Sequence, residues 1–85
     1  MTDQDLFDRI TTSPSVLAGK PVIRGTRLSV EFVLNLLAHG ASNLEITQEY
    51  TSLSEDDIQA CLLFAAKSLS NASFMPLAAE LAELA

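Results

Sequence analysis

Apolar residues follow two patterns along the chain, a short β-like beginning and a long helical remainder. The β-branched pair Val22-Ile23 lies between turn-forming residues, which is typical of a short strand. Residues 6–28 as a whole indicate two or three very short strands, with Leu6 to Ile10 as a strand or extended arm. Residues 1–5 are mostly polar, and we expect this end of the chain to be frayed. A ribbon this small needs a helix or a second subunit packed against it.

Three helices are predicted from apolar residues that recur every three or four positions. They span residues 30–39, 43–50 and 54–70. A serine suited to the N-cap position stands just before or at the start of each helix: Ser29, Ser42 and Ser54. Ser42 also opens an S-x-x-E capping box, and Gly40 can end the first helix in a left-handed conformation.

These helices predict a mainly α fold, in which short N-terminal strands or a hairpin precede a three-helix unit of helix-turn-helix type. The apolar positions expected to face its core are Val30, Val33, Leu34, Leu37, Leu44, Ile46, Tyr50, Ile58, Cys61, Leu62, Ala65 and Leu69. Of the 85 residues, 48% are hydrophobic. Because a chain of this size buries only about 60% of its unfolded surface, we expect a homodimer or a larger assembly.

A last short helix is expected after the break at residues 70–73, with Pro76 at its first position. Its apolar stripe consists of Leu77, Leu81 and Leu84, and Phe74 lies just before the helix. A helix of about ten residues is not stable alone in water, so it must dock on this domain, on a second copy or on another protein. We therefore divide the chain into a strand-plus-helix domain, residues 1–70, and a C-terminal helical extension, residues 71–85.

The formal net charge is −6 and is unevenly distributed. Residues 1–28 carry four basic and three acidic residues, whereas residues 29–85 carry one basic and eight acidic residues. Since DNA affinity comes largely from phosphate neutralisation, the acidic part suits a basic protein partner better than DNA. The candidate DNA- or anion-binding residues are Arg9, Lys20, Arg24, Arg27 and Gln59. For Arg24 and Arg27, on the turn before the first helix, we prefer the interpretation that they pair with the protein's own carboxylates, because two arginines are fewer than a basic patch requires.

The sequence contains no phosphate-binding loop, no C-x-x-C and no H-E-x-x-H motif. His39 is the only histidine and lies where a helix C-terminus favours a cation, and the single cysteine, Cys61, is expected in the core. We therefore expect no catalytic site, metal or cofactor, and no enzymatic activity. The polar, acidic first residues do not form a signal peptide, and no apolar run reaches 18 residues, so the expected location is the cytoplasm.

The stretch of residues 19–30 holds three of the five basic residues and two of the three glycines. It reads Gly-Lys-Pro-Val-Ile-Arg-Gly-Thr-Arg-Leu-Ser-Val. Gly25 is suited to a turn, and we expect the flanking arginines to tie strand to helix or subunit to subunit. The residues expected to form this structural motif are Gly19, Pro21, Gly25, Thr26 and Ser29.

This stretch closely resembles the signature of the bacterial and archaeal family catalogued as domain of unknown function 433. The likeness covers about residues 8–66 and continues through Gly40, Tyr50 and Asp57-Ile58. It implies a homeodomain-like helix-turn-helix fold preceded by short strands. In some members it implies an antitoxin-like role opposite toxins that resemble PIN-domain ribonucleases. In such pairs a C-terminal tail often binds the toxin, which makes the apolar residues of 71–85 candidates for partner binding.

Three hypotheses follow. The first is a cytoplasmic, dimeric antitoxin-like protein that neutralises a basic, PIN-like nuclease and co-represses its own operon. The second is a stand-alone DNA-binding transcriptional regulator, although Glu55, Asp56 and Asp57 at the start of the third helix oppose phosphate binding. The third is a non-enzymatic structural or adaptor dimer.

Overall fold

The computed structural model describes residues 1–70. The predicted last helix and its candidate partner-binding residues, Phe74, Leu77, Leu81 and Leu84, lie outside the described residues. In chain order the elements are helix α1 (Asp3–Phe7), strand β1 (Ile10–Thr11), a short 3₁₀ turn (Leu17–Gly19), strand β2 (Val22–Ile23), helix α2 (Val30–Ala38), helix α3 (Asn43–Glu49) and helix α4 (Glu55–Leu69). The expected mainly α fold, with a short antiparallel strand pair before the three longer helices, is confirmed.

The beginning of the chain differs from the prediction of a frayed end followed by a strand or arm. Residues Asp3–Phe7 form a helix, and the strand is limited to Ile10–Thr11. Thr2 and Asp5 form a capping box, in which each side chain accepts a hydrogen bond from the other residue's backbone N–H. A five-residue helix needs tertiary support, and α1 obtains it by packing against α4.

The two strands pair antiparallel, with Ile10 opposite Ile23 and Thr11 opposite Val22. Val22 also forms an isolated antiparallel bridge with Ser29, so the chain reverses between β2 and the start of α2. Both residues of β2 are buried. The ribbon is therefore held by the helices that cover it, as its small size requires.

The three longer helices begin where the serines predict. The Ser29 hydroxyl accepts the Phe32 N–H, while Ser42 and Ser54 each form a complete capping box with an acid three residues on. Gly40, with φ of +96°, follows α2 in the left-handed conformation. The bounds agree with the predicted ones to within a residue because these signals are local.

Helix α4 is the central element, since α1, α2 and α3 all pack against it. The largest fully buried side chains are Ile23, Val33, Ile46, Ile58 and Cys61. Phe32 of α2 meets Tyr50 edge to face, with ring centroids 5.4 Å apart.

Three leucines expected in the core lie at the surface instead. Leu44, Leu62 and Leu69 are 63%, 46% and 58% exposed. Within residues 1–70, the packing of α3 and α4 covers only part of each apolar stripe, so these outer residues of the stripes stay exposed. Within residues 1–70, no helix is long and apolar enough to cross a membrane.

Candidate interaction surfaces

The loop of residues 24–27 is held closed by a network of hydrogen bonds around Thr26. Its N–H and its hydroxyl both donate to the Ile23 carbonyl, at 3.0 and 2.8 Å, and the hydroxyl accepts the Leu28 N–H at 3.0 Å. Gly25 has φ of +82°, the left-handed conformation that favours glycine. Thr26 therefore fixes a loop whose geometry Gly25 permits.

Arg24 connects this loop to the end of α1. Its side-chain Nε donates to the Asp8 carbonyl at 2.7 Å, and its backbone N–H donates to the Arg9 carbonyl at 2.8 Å. Arg27, at the other side of the loop, is exposed and forms no ion pair with residues 1–70. The two arginines of the motif thus have different surroundings, and only Arg24 ties a strand to a helix here.

Arg9 is bound to the start of α4. Its guanidinium donates to the Asp57 carboxylate at 3.0 Å and lies 3.5 Å from that of Asp56. Asp57 is only 8% exposed, and its other carboxylate oxygen accepts the N–H of Ser54 at 2.9 Å. Asp57 thus serves both as a helix cap and as the ion-pair partner of Arg9.

Sequence reasoning placed Asp57 in the first turn of α4 but did not predict its burial or its pairing. The S-x-x-D spacing from Ser54 to Asp57 was a usable signal for the capping box. Its partner Arg9 lies 48 residues away, and no local pattern connects the two. One of the proposed anion-binding residues is consequently occupied by the protein's own carboxylates.

Lys20 also has an internal partner. Its ammonium lies 2.9 Å from the Glu31 carboxylate in the first turn of α2. Both side chains are more than half exposed, so this pair contributes little to stability. It lies beside Pro21, whose carbonyl accepts the Val30 N–H at 3.0 Å and so joins the motif to α2.

The candidate anion-binding residues are not gathered in one place. Arg9 and Arg24 line a common cleft of about 360 Å³, but Asp5, Asp8 and Asp57 line it too. Lys20 borders a separate, apolar groove. Gln59 is exposed on α4 and, like Arg27, borders neither of these depressions within residues 1–70. The cleft that Arg9 and Arg24 share is therefore of mixed charge.

A left-handed turn precedes the motif. Leu17, Ala18 and Gly19 have φ values of +48°, +56° and +85°. Each L-residue in this region costs about 1–2 kcal/mol because its Cβ crowds the following carbonyl. The turn is closed by hydrogen bonds from the N–H groups of Gly19 and Lys20 to the carbonyls of Val16 and Leu17. Of these three residues, only Gly19 is suited to its conformation.

An open apolar groove of about 550 Å³ lies between α2 and the last turns of α4. The α4 side is lined by Phe64, Ala65, Ser68 and Leu69, and the α2 side includes Leu34 and Ala38. Polar atoms contribute little to its lining, and the Lys20–Glu31 pair stands at its edge. This groove is larger and more apolar than the cleft that Arg9 and Arg24 line.

The two residues with catalytic potential are both in structural positions. Burial raises the pKa of the Cys61 thiol to about 12, and the nearby Asp57 carboxylate adds to this, so the nucleophilic thiolate is suppressed. His39 is the C-cap residue of α2, and its Nδ1 lies 2.7 Å from the Asn35 carbonyl. Among residues 1–70, no group of three or more His, Cys, Asp or Glu side chains could hold a metal ion.

Comparison with known proteins returned one family. No curated protein and no solved structure has significant similarity to the chain. A family model described as "Protein of unknown function (DUF433)" matches residues 10–65, a range that begins at β1, includes the whole loop of residues 24–27 and ends within α4. Since this match covers well over half of the chain, the protein belongs to the DUF433 family.

Proposed function

We propose that this protein is an antitoxin-like, non-enzymatic cytoplasmic dimer that binds and neutralises a basic, PIN-like ribonuclease. The observation that carries the proposal is the distribution of charge. Three of the five cationic side chains of residues 1–70 are already bound within the chain, while exposed carboxylates stand at the start of α4. The resemblance to antitoxin-like members of the family supports the same function.

The ion pairs that Arg9 and Lys20 form within the chain make DNA binding by the lone protein less favourable. To contact phosphate, Arg9 would have to leave Asp57 and Lys20 would have to leave Glu31. Separating Arg9 would also strand a carboxylate that is largely buried. Because each phosphate contact depends on an available cation, the protein alone has few to offer.

The end of α4 that a helix-turn-helix protein would insert into the major groove is acidic. Glu55 and Asp56 are exposed there, although Asp56 lies 3.5 Å from the Arg9 guanidinium, and together with the net charge they repel phosphate. The same carboxylates attract a basic protein, steer it towards this face and discriminate against acidic competitors. A nuclease with a cationic RNA-binding surface is a partner of that chemistry.

The C-terminal extension provides a matched pair of variants for testing the proposal. In a helix that begins at Pro76, Leu81 belongs to the apolar stripe, whereas Ala79 lies on the opposite side. The protein is co-expressed with the product of the neighbouring toxin-like gene, and co-purification and ribonuclease activity are measured. Leu81→Asp should release the nuclease and restore its activity, while Ala79→Asp should leave the complex intact.

A second candidate function, a stand-alone DNA-binding regulator, draws support from the exposed positions of Arg27 and Gln59 on a trihelical body. A gel-shift titration with upstream DNA separates the two. Under the antitoxin proposal the lone protein does not shift the DNA at physiological salt. The complex of antitoxin and toxin does shift it if that complex represses its own operon. A salt-resistant shift by the lone protein, with no inhibition of a nuclease, would favour the regulator. If neither DNA nor a nuclease binds, the structural or adaptor dimer becomes the better account.

A further inference from the structure

A small depression of about 250 Å³ lies between the end of α2 and helix α3. Its apolar lining consists of Leu36, Ala41, Ile46 and Tyr50. Two acidic side chains of α3, those of Glu45 and Glu49, line the same depression. An apolar surface and two carboxylates therefore lie side by side, which is the chemistry that a long cationic side chain requires.

The carboxylate of Glu45 is held in place by the capping box of its own helix. Its Oε1 accepts the Ser42 N–H at 3.0 Å, and the Ser42 hydroxyl accepts the Glu45 N–H at 3.1 Å. Hydrogen bonding to Ser42, chiefly from its backbone N–H, holds the pKa of the Glu45 carboxyl below its usual range. The group is therefore charged at neutral pH. Because it is already ordered, it loses little conformational freedom when it binds a cation.

Glu49 lies one helical turn after Glu45, on the same face of α3. Two negative charges at this spacing repel each other, so a cation bound between them is stabilised by both. No basic residue of the described part of the chain lines the depression, and neither glutamate forms an ion pair there. The two carboxylates thus lack a counter-charge within residues 1–70.

The C-terminal extension cannot supply this counter-charge. Residues 71–85 contain Glu80 and Glu83 but no lysine or arginine. A second copy of the chain has the same formal net charge of −6, so two copies repel each other at long range. Charge complementarity therefore favours a basic partner protein as the source of the cation.

The aromatic part of the lining favours arginine over lysine. Tyr50 is partly buried, and Phe32 packs against its ring edge to face, which restricts the ring's movement. A guanidinium is planar, weakly hydrated and able to stack on such a ring, whereas an ammonium is compact and strongly hydrated. Several N–H groups in a fixed fork can also donate to two carboxylates at once.

We propose that the depression between α2 and α3 receives an arginine side chain of the basic partner, with its guanidinium between the carboxylates of Glu45 and Glu49. The aliphatic part of that arginine covers the apolar lining. This inference rests on the proposed function, because it names one contact that a basic nuclease makes with this protein. It is separate from the contact assigned to the apolar residues of the extension.

A small probe tests the depression without the nuclease. Isotope-labelled full-length protein is titrated with N-acetyl-arginine amide at physiological salt and followed by two-dimensional NMR, with N-acetyl-lysine amide as the chemical control. We expect the arginine probe to shift the amide signals of residues 36–50 and the lysine probe to shift them less. Glu45→Gln/Glu49→Gln removes both charges but retains a side chain suited to the capping box, and should abolish these shifts. No shift in residues 36–50, or shifts confined to the start of α4, would overturn the proposal.

The nuclease itself tests the identity of the partner. Its affinity for the full-length protein is measured with the product of the neighbouring toxin-like gene. The double glutamine variant should weaken binding by about tenfold or more, because each lost carboxylate removes a charged hydrogen bond. Asp3→Asn/Glu31→Gln removes two exposed carboxylates outside the depression and should change the affinity by less than about twofold.

The remaining outcomes separate this inference from the proposed function. If both double variants weaken nuclease binding equally, only the total charge matters and the arginine site is wrong. If the double glutamine variant dissociates a homo-oligomer in size-exclusion chromatography, a second copy supplies the cation, which also contradicts the proposal. If the native protein binds no nuclease, the proposed function fails, and the probe titration alone decides whether the depression binds arginine.

Discussion

The guanidinium of Arg9 donates a 3.0 Å hydrogen bond to the carboxylate of Asp57 and thereby joins the start of β1 to the first turn of α4. The two groups differ in exposure, since the side chain of Arg9 is 33% exposed and that of Asp57 only 11%. Water can solvate the guanidinium but hardly reaches the carboxylate, so the carboxylate relies more on the ion pair to stabilise its charge. Arg9, one of the candidate anion-binding residues, thus has a structural role in joining β1 to α4.

Replacing Arg9 should destabilise the fold. Arg9→Ala leaves a largely buried carboxylate with only its capping bonds, and we expect the free energy of unfolding to fall by about 1–3 kcal/mol. Lys20→Ala is the matched control, because it removes an ion pair that is open to solvent and should cost about 0–1 kcal/mol. Urea unfolding followed by circular dichroism measures both. Equal losses of unfolding free energy in the two variants would show that burying Asp57 does not strengthen its ion pair with Arg9.

The hydroxyl of Thr26 should matter more than its methyl group. Thr26→Val removes one hydrogen bond to the Ile23 carbonyl and one from the Leu28 N–H, and should lower the free energy of unfolding by about 1–3 kcal/mol. Thr26→Ser keeps the hydroxyl and should stay within about 1 kcal/mol of the native protein. If the serine variant is as unstable as the valine variant, loss of the hydroxyl's hydrogen bonds does not explain the destabilisation.

Glycine should stabilise the left-handed turn. Ala18 has φ of +56°, and Ala18→Gly relieves a backbone penalty that exceeds the extra flexibility of glycine in the unfolded chain, for a net gain of about 0.5–1 kcal/mol. The same change at exposed Ala66, inside α4, should cost about 1 kcal/mol. Thermal unfolding of the two variants should therefore shift in opposite directions. A fall in melting temperature for Ala18→Gly would contradict the assigned turn.

Cys61 should make the fold sensitive to alkali. Its pKa rises from 9.0 to about 12 in the folded protein, so between these values the unfolded chain releases a proton that the folded chain retains. Stability is thus fully present below pH 9 and declines as pH increases towards 12. Urea unfolding at pH 8 and pH 10.5 should show this decline, and Cys61→Ala should reduce it. The native thiol should also react with a disulfide reagent at pH 8 far more slowly than the urea-unfolded chain; comparable rates would contradict its burial.

Local signals predicted most of the helical framework. Ser29, Ser42 and Ser54 fix the starts of α2, α3 and α4 through hydrogen bonds to residues three positions on, so the sequence contains both partners within one turn. Gly25 likewise carries its own conformational preference. The fold class and the helix bounds followed from features of this kind.

Features that depend on distant contacts were not predictable in the same way. Helix α1 has a capping box from Thr2 to Asp5, but its five residues persist because α4 lies against them. The partner of Arg9 is far along the chain, and the exposure of Leu44 reflects how much of α3 the core can cover. In each case the outcome is decided by which elements meet in three dimensions.

The packing of α1 against α4 has a consequence for how this protein is made. The helix nearest the N-terminus rests on the helix nearest the end of the described chain, and Arg9 finds its counter-charge there as well. A nascent chain still attached to the ribosome therefore cannot complete the core of residues 1–70 until the buried Cys61 of α4 has emerged from the exit tunnel. Contacts between the two ends of the described part therefore form late in folding, after most of α4 has been synthesised.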